Sequence, residues 1–386
     1  MRTHRISRRR AGAIALGTLL ALPVVANAGA DPAAANDIRP AVAFGFNNHG
    51  QLGDGTSIHR FVPVGVNNLV ETKQVSAGGF HSLALLTNGT VRSWGWNESG
   101  QLGDGTTTER TVPGTVVGLS GVRAVAAGFA FSLALLDNGK IMAWGANDSG
   151  QLGIGTSSND PVRLPVEVKG ISNARAISAG GAHGLALLDD GKVMVWGIGV
   201  APQVTATPFQ VANLDHVRAV AAGDAHSLAL LEDGTVKAWG ANDRGQLGTG
   251  AISGPTFTPA RVVNLDDVEA VAAGGAHSLA LLDNGTGRAW GDNLFGQLGI
   301  GSFGGQRSTP TRIVGLSHAR AIAAGDEHSL ALSADDDDVI LSWGSDSFGG
   351  LGGGTLSQQD RPVTVQSSLT RVRSIDGGND YSLAAG

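Results

Sequence analysis

Short apolar runs of five or six residues recur from Ala41 to the end of the chain, divided by turns rich in Gly, Asn and Asp. "VEAVAA" at 268–273 is followed by "HSLALL" at 277–282, and runs such as "PARVV" at 259–263 and "TVKAWG" at 235–240 complete the pattern. No stretch of ten or more residues carries apolar positions at helical spacing, so the runs predict strands. Between "HSLALL" and the following run stands "DNG", "TNG", "DDG" or "EDG". This predicts a two-residue hairpin turn in which Asn or Asp and Gly accept positive φ.

The pattern repeats seven times. A "WG" dipeptide begins at Trp94, Trp144, Trp196, Trp239, Trp290 and Trp343, with "FG" at Phe44 as its seventh copy. A slot at the head of "HSLALL" holds His81, His183, His226, His277 and His328, with Phe131 and Tyr381 in the second and last copies. From a proline (Pro63 in the first copy) to this slot is 18 residues in six copies and 19 in the last; from slot to tryptophan is 13 in five copies and 15 in the sixth. Constant intervals predict paired strands, because a one-residue slip turns every side chain to the wrong face. The interval from the aromatic to the next proline ranges from 12 to 21 and predicts a surface connection.

Four strands per unit, the first following the proline, and seven units predict an all-β fold: a seven-bladed β-propeller with four-stranded antiparallel blades. The chain opens on a fourth-type strand near Ala41 and ends on a third-type strand, "YSLAA" at 381–385. Pairing of these N- and C-terminal strands would close the ring and leave no open sheet edge.

Composition adds where the chain belongs. Gly supplies 59 of 386 residues, about double the ordinary share of roughly 7%, as many tight turns require. The absence of cysteine excludes disulfides, thiolate metal sites and cysteine nucleophiles. Residues 1–28 combine five arginines, an apolar run from Ala11 to Val25 and a small-residue "ANA" end, the pattern of a secretory signal peptide. "SRRRAG" at 7–12 leaves both the general and the twin-arginine export routes open. Residues 29–40 read as a short linker and 41–386 as the propeller. Without the leader 22 basic residues face 33 acidic ones, a net charge of −11, which disfavours nucleic acid as a partner. No later segment has the length of a transmembrane span. The mature chain is expected to be a secreted or cell-envelope monomer.

Loops such as "NDSGQLGIGT" at 147–156, together with "GxxHSLAL" and "WG", closely resemble the regulator of chromosome condensation repeat family over roughly residues 41 to 386. The resemblance implies a seven-bladed propeller. The family's eukaryotic founder is a nucleotide exchange factor for a small nuclear GTPase that uses a basic tail and a projecting wedge; this chain matches neither. The family also includes a secreted bacterial β-lactamase inhibitor, similar in export and repeats, that grips its target with aromatic residues in the "GxxH" turns. Most of the corresponding turn positions here are Ala, Gly or acidic.

Candidate sites follow from where the copies differ. Phe80, Phe129, Phe131 and Tyr381 come from the first, second and last units, which adjoin once the ring closes. Phe46 and Trp96 join them if their loops share that face. Asp224, Asp326 and Glu327 supply an acidic sector opposite. Exposed rings beside charge make a partner-binding face, to which His81, His226, His277 and His328 are assigned as further contacts. The histidines are expected mainly to order their own turns through backbone hydrogen bonds. The glycine-rich loops lack the lysine and following helix of a phosphate cradle and the alternating carboxylates of a calcium loop. Asp335–Asp338 reads as a solvated turn. With no G-x-S-x-G elbow and no H-E-x-x-H pair, neither a cofactor, a metal nor a catalytic residue is expected. The function expected is that of a non-enzymatic binding or scaffold protein engaging a protein or cell-envelope partner. The alternatives are an inhibitor of the β-lactamase-inhibitor type, or a carbohydrate-binding or hydrolytic propeller acting at the channel mouth.

Overall fold

Each "HSLALL" run is too apolar to face water on either side, and the structure buries it on both. The computed structural model describes residues 40–199, 201–335, 339–369 and 371–386. The expected leader, the linker up to residue 39 and the last three residues of the acidic turn lie outside them. Blade 1 contains an inner strand Thr72–Ala77, a second strand His81–Leu86, a third strand Val91–Gly95 and an outer strand Arg110–Thr115, all antiparallel. Blades 2 to 6 occupy 122–167, 174–210, 217–261, 268–312 and 319–364 in the same order. The seven inner strands line a central channel, and among the described residues there is no α-helix.

Blade 7 is built from both ends of the chain. Ala41–Gly45 pairs with Tyr381–Ala385, from Ala41 opposite Ala385 to Gly45 opposite Tyr381. Ser374–Gly377 lies inside this pair and Arg60–Gly65 outside it. The predicted ring closure is therefore present.

Two local expectations are corrected. The proline lies inside the outer strand, as Pro259 does in Thr256–Arg261, and that strand completes the preceding blade. An edge strand tolerates a proline because the missing N–H faces no partner. The hairpin loop has three residues: Leu136 N–H reaches the Lys140 carbonyl, and of Asp137, Asn138 and Gly139 only Gly139 has positive φ, at 78°. A type I turn followed by a left-handed glycine is the three-residue solution. The sixth copy lengthens this turn without moving the ladder, which still pairs His328 with Gly344.

Blades are joined by a repeated polar contact in an apolar seam. The Gln101 carbonyl accepts Trp144 Nε1–H at 2.8 Å and Ser132 Oγ–H at 2.9 Å, both from the next blade. With its hydroxyl hydrogen directed to that carbonyl, Ser132 Oγ accepts from His81 Nε2–H at 2.9 Å. This sets the tautomer: Nε2 carries the hydrogen and Nδ1 is bare. The same contact joins His183 to Ser227, His226 to Ser278, His277 to Ser329 and His328 to Ser382 at 2.8–3.1 Å. The histidines thus bind blade to blade, rather than ordering their own turns as expected.

The remaining two seams are matched variants. Phe131 offers no donor, and the position that holds serine elsewhere is Gly184, where a Cβ would lie 2.4 Å from Trp196 Cζ2. Tyr381 closes the ring by donating its hydroxyl to the His81 carbonyl at 2.5 Å, with Ser82 Oγ 3.1 Å away. One leucine per loop, such as Leu52, Leu152 or Leu298, fills the adjoining gap with no solvent exposure. The loop after Trp196 is shortened and has no Gln–Leu pair, and Trp239 Nε1 meets no acceptor among the described residues.

Burial drives the pKa of His81, His226 and His277 down to about 3, and that of His183 and His328 to about 4. The unfolded chain takes up these protons below about pH 6.5, so the stabilisation is complete above that value. It falls by up to about 1.4 kcal/mol per pH unit per histidine as the pH drops toward 4. His81→Phe alone is expected to cost about 1–3 kcal/mol in urea unfolding, since Ser132 is crowded and loses its donor. Adding Ser132→Gly, which reproduces the Phe131–Gly184 seam, should recover part of that loss through a coupling of about 1 kcal/mol. The double variant should also show an acid slope shallower by one histidine. Strictly additive losses in the cycle would show that the seam is not a matched pair.

Candidate functional site

The "WG" glycine decides which loops meet. Gly95 has φ +99°, and a Cβ there would lie 2.6 Å from the Phe80 carbonyl. Trp96 N–H binds that carbonyl at 2.9 Å instead, so the loop after each third strand leaves on the same face as the turn before each second strand. The loop and turn positions that vary between copies are therefore brought together on one face.

On this face seven rings form a continuous sector across blades 6, 7, 1 and 2. Phe46 stacks on His59 at 5.0 Å and meets Phe348 edge-on at 4.9 Å and Phe80 at 5.7 Å. Phe80 then contacts His49, Trp96 and Phe129 at 5.5, 6.1 and 5.6 Å. All seven remain partly open to solvent, Phe129 at 42% and the others half-buried. Ile58, beside His59, is 61% exposed and extends the patch. Two basic side chains on this side already have carboxylate partners: His49 Nδ1 lies 2.6 Å from Glu109, and Arg60 pairs with Asp54 at 2.6 Å.

The channel mouth beside the rings is acidic. Backbone hydrogen bonds link its turns from blade to blade, for example Gly79 N–H to the Gly128 carbonyl and Asp326 N–H to that of Gly378. The channel offers about 150 Å³ of space, and Phe129 also borders a cleft of about 410 Å³ between blades 2 and 3. The carboxyls of Asp224 and Asp326, two blades apart, interact at the mouth. Gly275 in the intervening turn makes this reach available, since a Cβ there would fall 1.8 Å from Asp326 Oδ1. Partial desolvation at the mouth raises both pKa values, that of Asp224 with added repulsion from Asp326. Desolvation, then repulsion from Asp326, Asp380 and Asp292, pushes Glu327 up to about 7, and desolvation with the charge of Asp326 raises Asp380 to about 6. Asp380 also has φ +59°, a left-handed conformation that Asp tolerates better than most residues.

Phe80, Phe129, Asp224, Asp326 and Glu327 thus lie where the sequence placed them, and Phe46 and Trp96 do share the face. Six assigned contacts do not reach it. His81, His226, His277, Phe131 and Tyr381 have no solvent exposure and His328 has 1%. Each begins a second strand and points into the seam, so its role is structural. Sequence reasoning missed His49, His59, Phe348, Asp292 and Asp380. His49 and Phe348 occupy one loop position, just before a conserved turn glycine within the repeat, where other copies carry Ser99, Ser149, Arg244 and Phe295. Comparing that position across copies would have exposed them.

A closed ring of like blades with one uneven face is the architecture of a repeat propeller built to hold a partner. The RCC1-like domain family profile matches residues 40–384. A probable E3 ubiquitin-protein ligase of Homo sapiens, HERC6, is 40% identical over 148 residues, covering 38% of this chain and 14% of the ligase. Among solved structures, human WBSCR16 superposes with a TM-score of 0.81 at 22% identity, covering 89% of this chain and 99% of that one. Prp20p of Saccharomyces cerevisiae, described with its binding properties to Gsp1p and histones, gives 0.80 at 25% identity, covering 91% and 92%. The chain belongs to the RCC1-like domain family. Propellers of this family typically serve as protein-interaction scaffolds, and this chain spans only 14% of the length of the ligase it matches.

Phe129→Ala should leave unfolding free energy within about 1 kcal/mol of the parent, because much of the ring is already hydrated. A larger loss in urea melts would mark it as core. Glu327 is held toward its neutral form, so its effect on stability turns unfavourable as the pH rises from about 4.5 through 7. Glu327→Gln is therefore expected to raise the melting temperature at pH 8 and to leave it unchanged at pH 4.

Proposed function

We propose that the protein is an exported, non-enzymatic scaffold that holds a protein partner against the aromatic sector of its loop face. The observation that carries this reading is the seven-ring sector itself. Blades are cemented by buried Trp and Leu, so these partly open rings are not needed to close the ring of blades. A soluble monomer gains nothing from leaving such a cluster in water, whereas aromatic rings at the centre of an interface supply much of its energy. The rings also sit on a framework joined at every seam, so little ordering cost is added on binding. Export rests on the basic, apolar and small-residue segments of residues 1–28. Among the described residues no helix is long and apolar enough to cross a membrane.

The test is differential capture from culture medium and cell envelope of the source organism. The parent chain should retain a protein that Phe80→Ala/Trp96→Ala releases, while circular dichroism and melting show the variant folded. Retention of the same proteins by both would refute the assignment of the face. Expression with the leader intact should yield a secreted chain beginning at Gly29, read by N-terminal sequencing; an uncleaved intracellular product would refute export.

A further inference from the structure

The aromatic sector and the acidic mouth share a border, and that border restricts what kind of partner fits. Phe46 N–H binds the Asp380 carbonyl at 2.9 Å, and Ser345, three residues before Phe348, binds that of Glu327 at 2.9 Å. The two acidic turns are thus stitched to the two loops that carry the rings at one end of the sector. Phe129 lines the channel mouth together with Asp224 and Asp326 at the other end. Among the described residues no ion pair joins Asp224, Asp326, Glu327 or Asp380 to a cation, while His49 and Arg60 on the aromatic side already have carboxylate partners.

Carboxylates crowded this way repel one another, and partial burial denies them full hydration. A single arriving cation would relieve several unfavourable terms at once, and the apolar rings beside it exclude competing water. A guanidinium suits the place better than an ammonium, because it binds two carboxylates through its fork and can lie on the face of Phe129. A second copy of this acidic chain is a poor occupant, since like charge would meet like charge.

Resting on the proposed partner-binding role of the face, we infer that it receives a protein loop with an apolar tip and an adjacent arginine, the tip resting on the rings and the arginine entering the acidic mouth. The recognition is of one protruding segment. The channel mouth accepts the cation, and the sector from Phe129 to Phe46 accepts the tip.

A phage library of disulfide-closed peptide loops, panned on the full chain, tests this directly. Enriched loops should carry Arg next to an aromatic or aliphatic residue. Their affinity should fall at least tenfold on Asp326→Asn/Glu327→Gln/Asp380→Asn, on Phe46→Ala/Phe80→Ala, and when the peptide arginine is replaced by glutamine. Loops that depend on the rings but lack Arg, or that bind the amidated variant within twofold of the parent, would overturn the inference and leave the partner-binding face intact. Failure to enrich any loop, or enrichment of loops indifferent to Phe46→Ala/Phe80→Ala, would overturn the inference together with the face it rests on. Melting curves of both variants, matched to the parent, keep loss of fold from imitating loss of binding.

Discussion

Six of the seven seams in this molecule depend on one loop carbonyl. In most loops the backbone oxygen of a buried glutamine, such as Gln101, accepts two hydrogens from the next blade, one from Trp and one from Ser. The serine then has only lone pairs to offer and receives the histidine of the blade before. Three side chains and a loop are locked by a single acceptor, deep in an apolar seam where an unmade bond costs most. The loop backbone is therefore anchored on its inner side, while exposed side chains on its outer side touch no seam. That division lets the outer positions differ from copy to copy without disturbing the ring.

This is also why the sequence was readable to different depths. Invariant intervals announced the second and third strands, since the ladder from His81–Gly95 to Leu85–Val91 tolerates no slip. The terminal half-blades announced closure. The position of the proline inside an edge strand was not legible, because periodicity alone does not say where an outer strand begins. Nor was the fate of the histidines, for their serine partners lie about one repeat away. Yet a trace was present: the one unit with Phe in the slot is followed by the one unit with Gly184 in place of serine. Of the face, Phe80, Phe129, Asp224, Asp326 and Glu327 were found because they sit in the constant turn; Phe348 sits at a loop position that the repeats align, whereas His59 sits in a stretch whose alignment only the fold supplies.

The face itself combines two surfaces that a free protein would ordinarily keep apart. Rings on blades 6, 7, 1 and 2 are left partly wet, and carboxylates of blades 4, 6 and 7 are left without cations of their own among the described residues. Each is mildly unfavourable alone. Their contiguity turns both into stored binding potential, held in place by a scaffold whose stability comes from elsewhere.

The joining of Ala41–Gly45 to Tyr381–Ala385 has a consequence in time rather than in space. The first and last strands of the propeller are each other's partners, so the ladder between them cannot form until the blades between them are in place. Closing so long a loop is slow, and until then two strand edges stay available to other chains. A traveller through an export channel that requires an unfolded chain would postpone this step until arrival, whereas a route that accepts folded cargo would have to wait for it before departure.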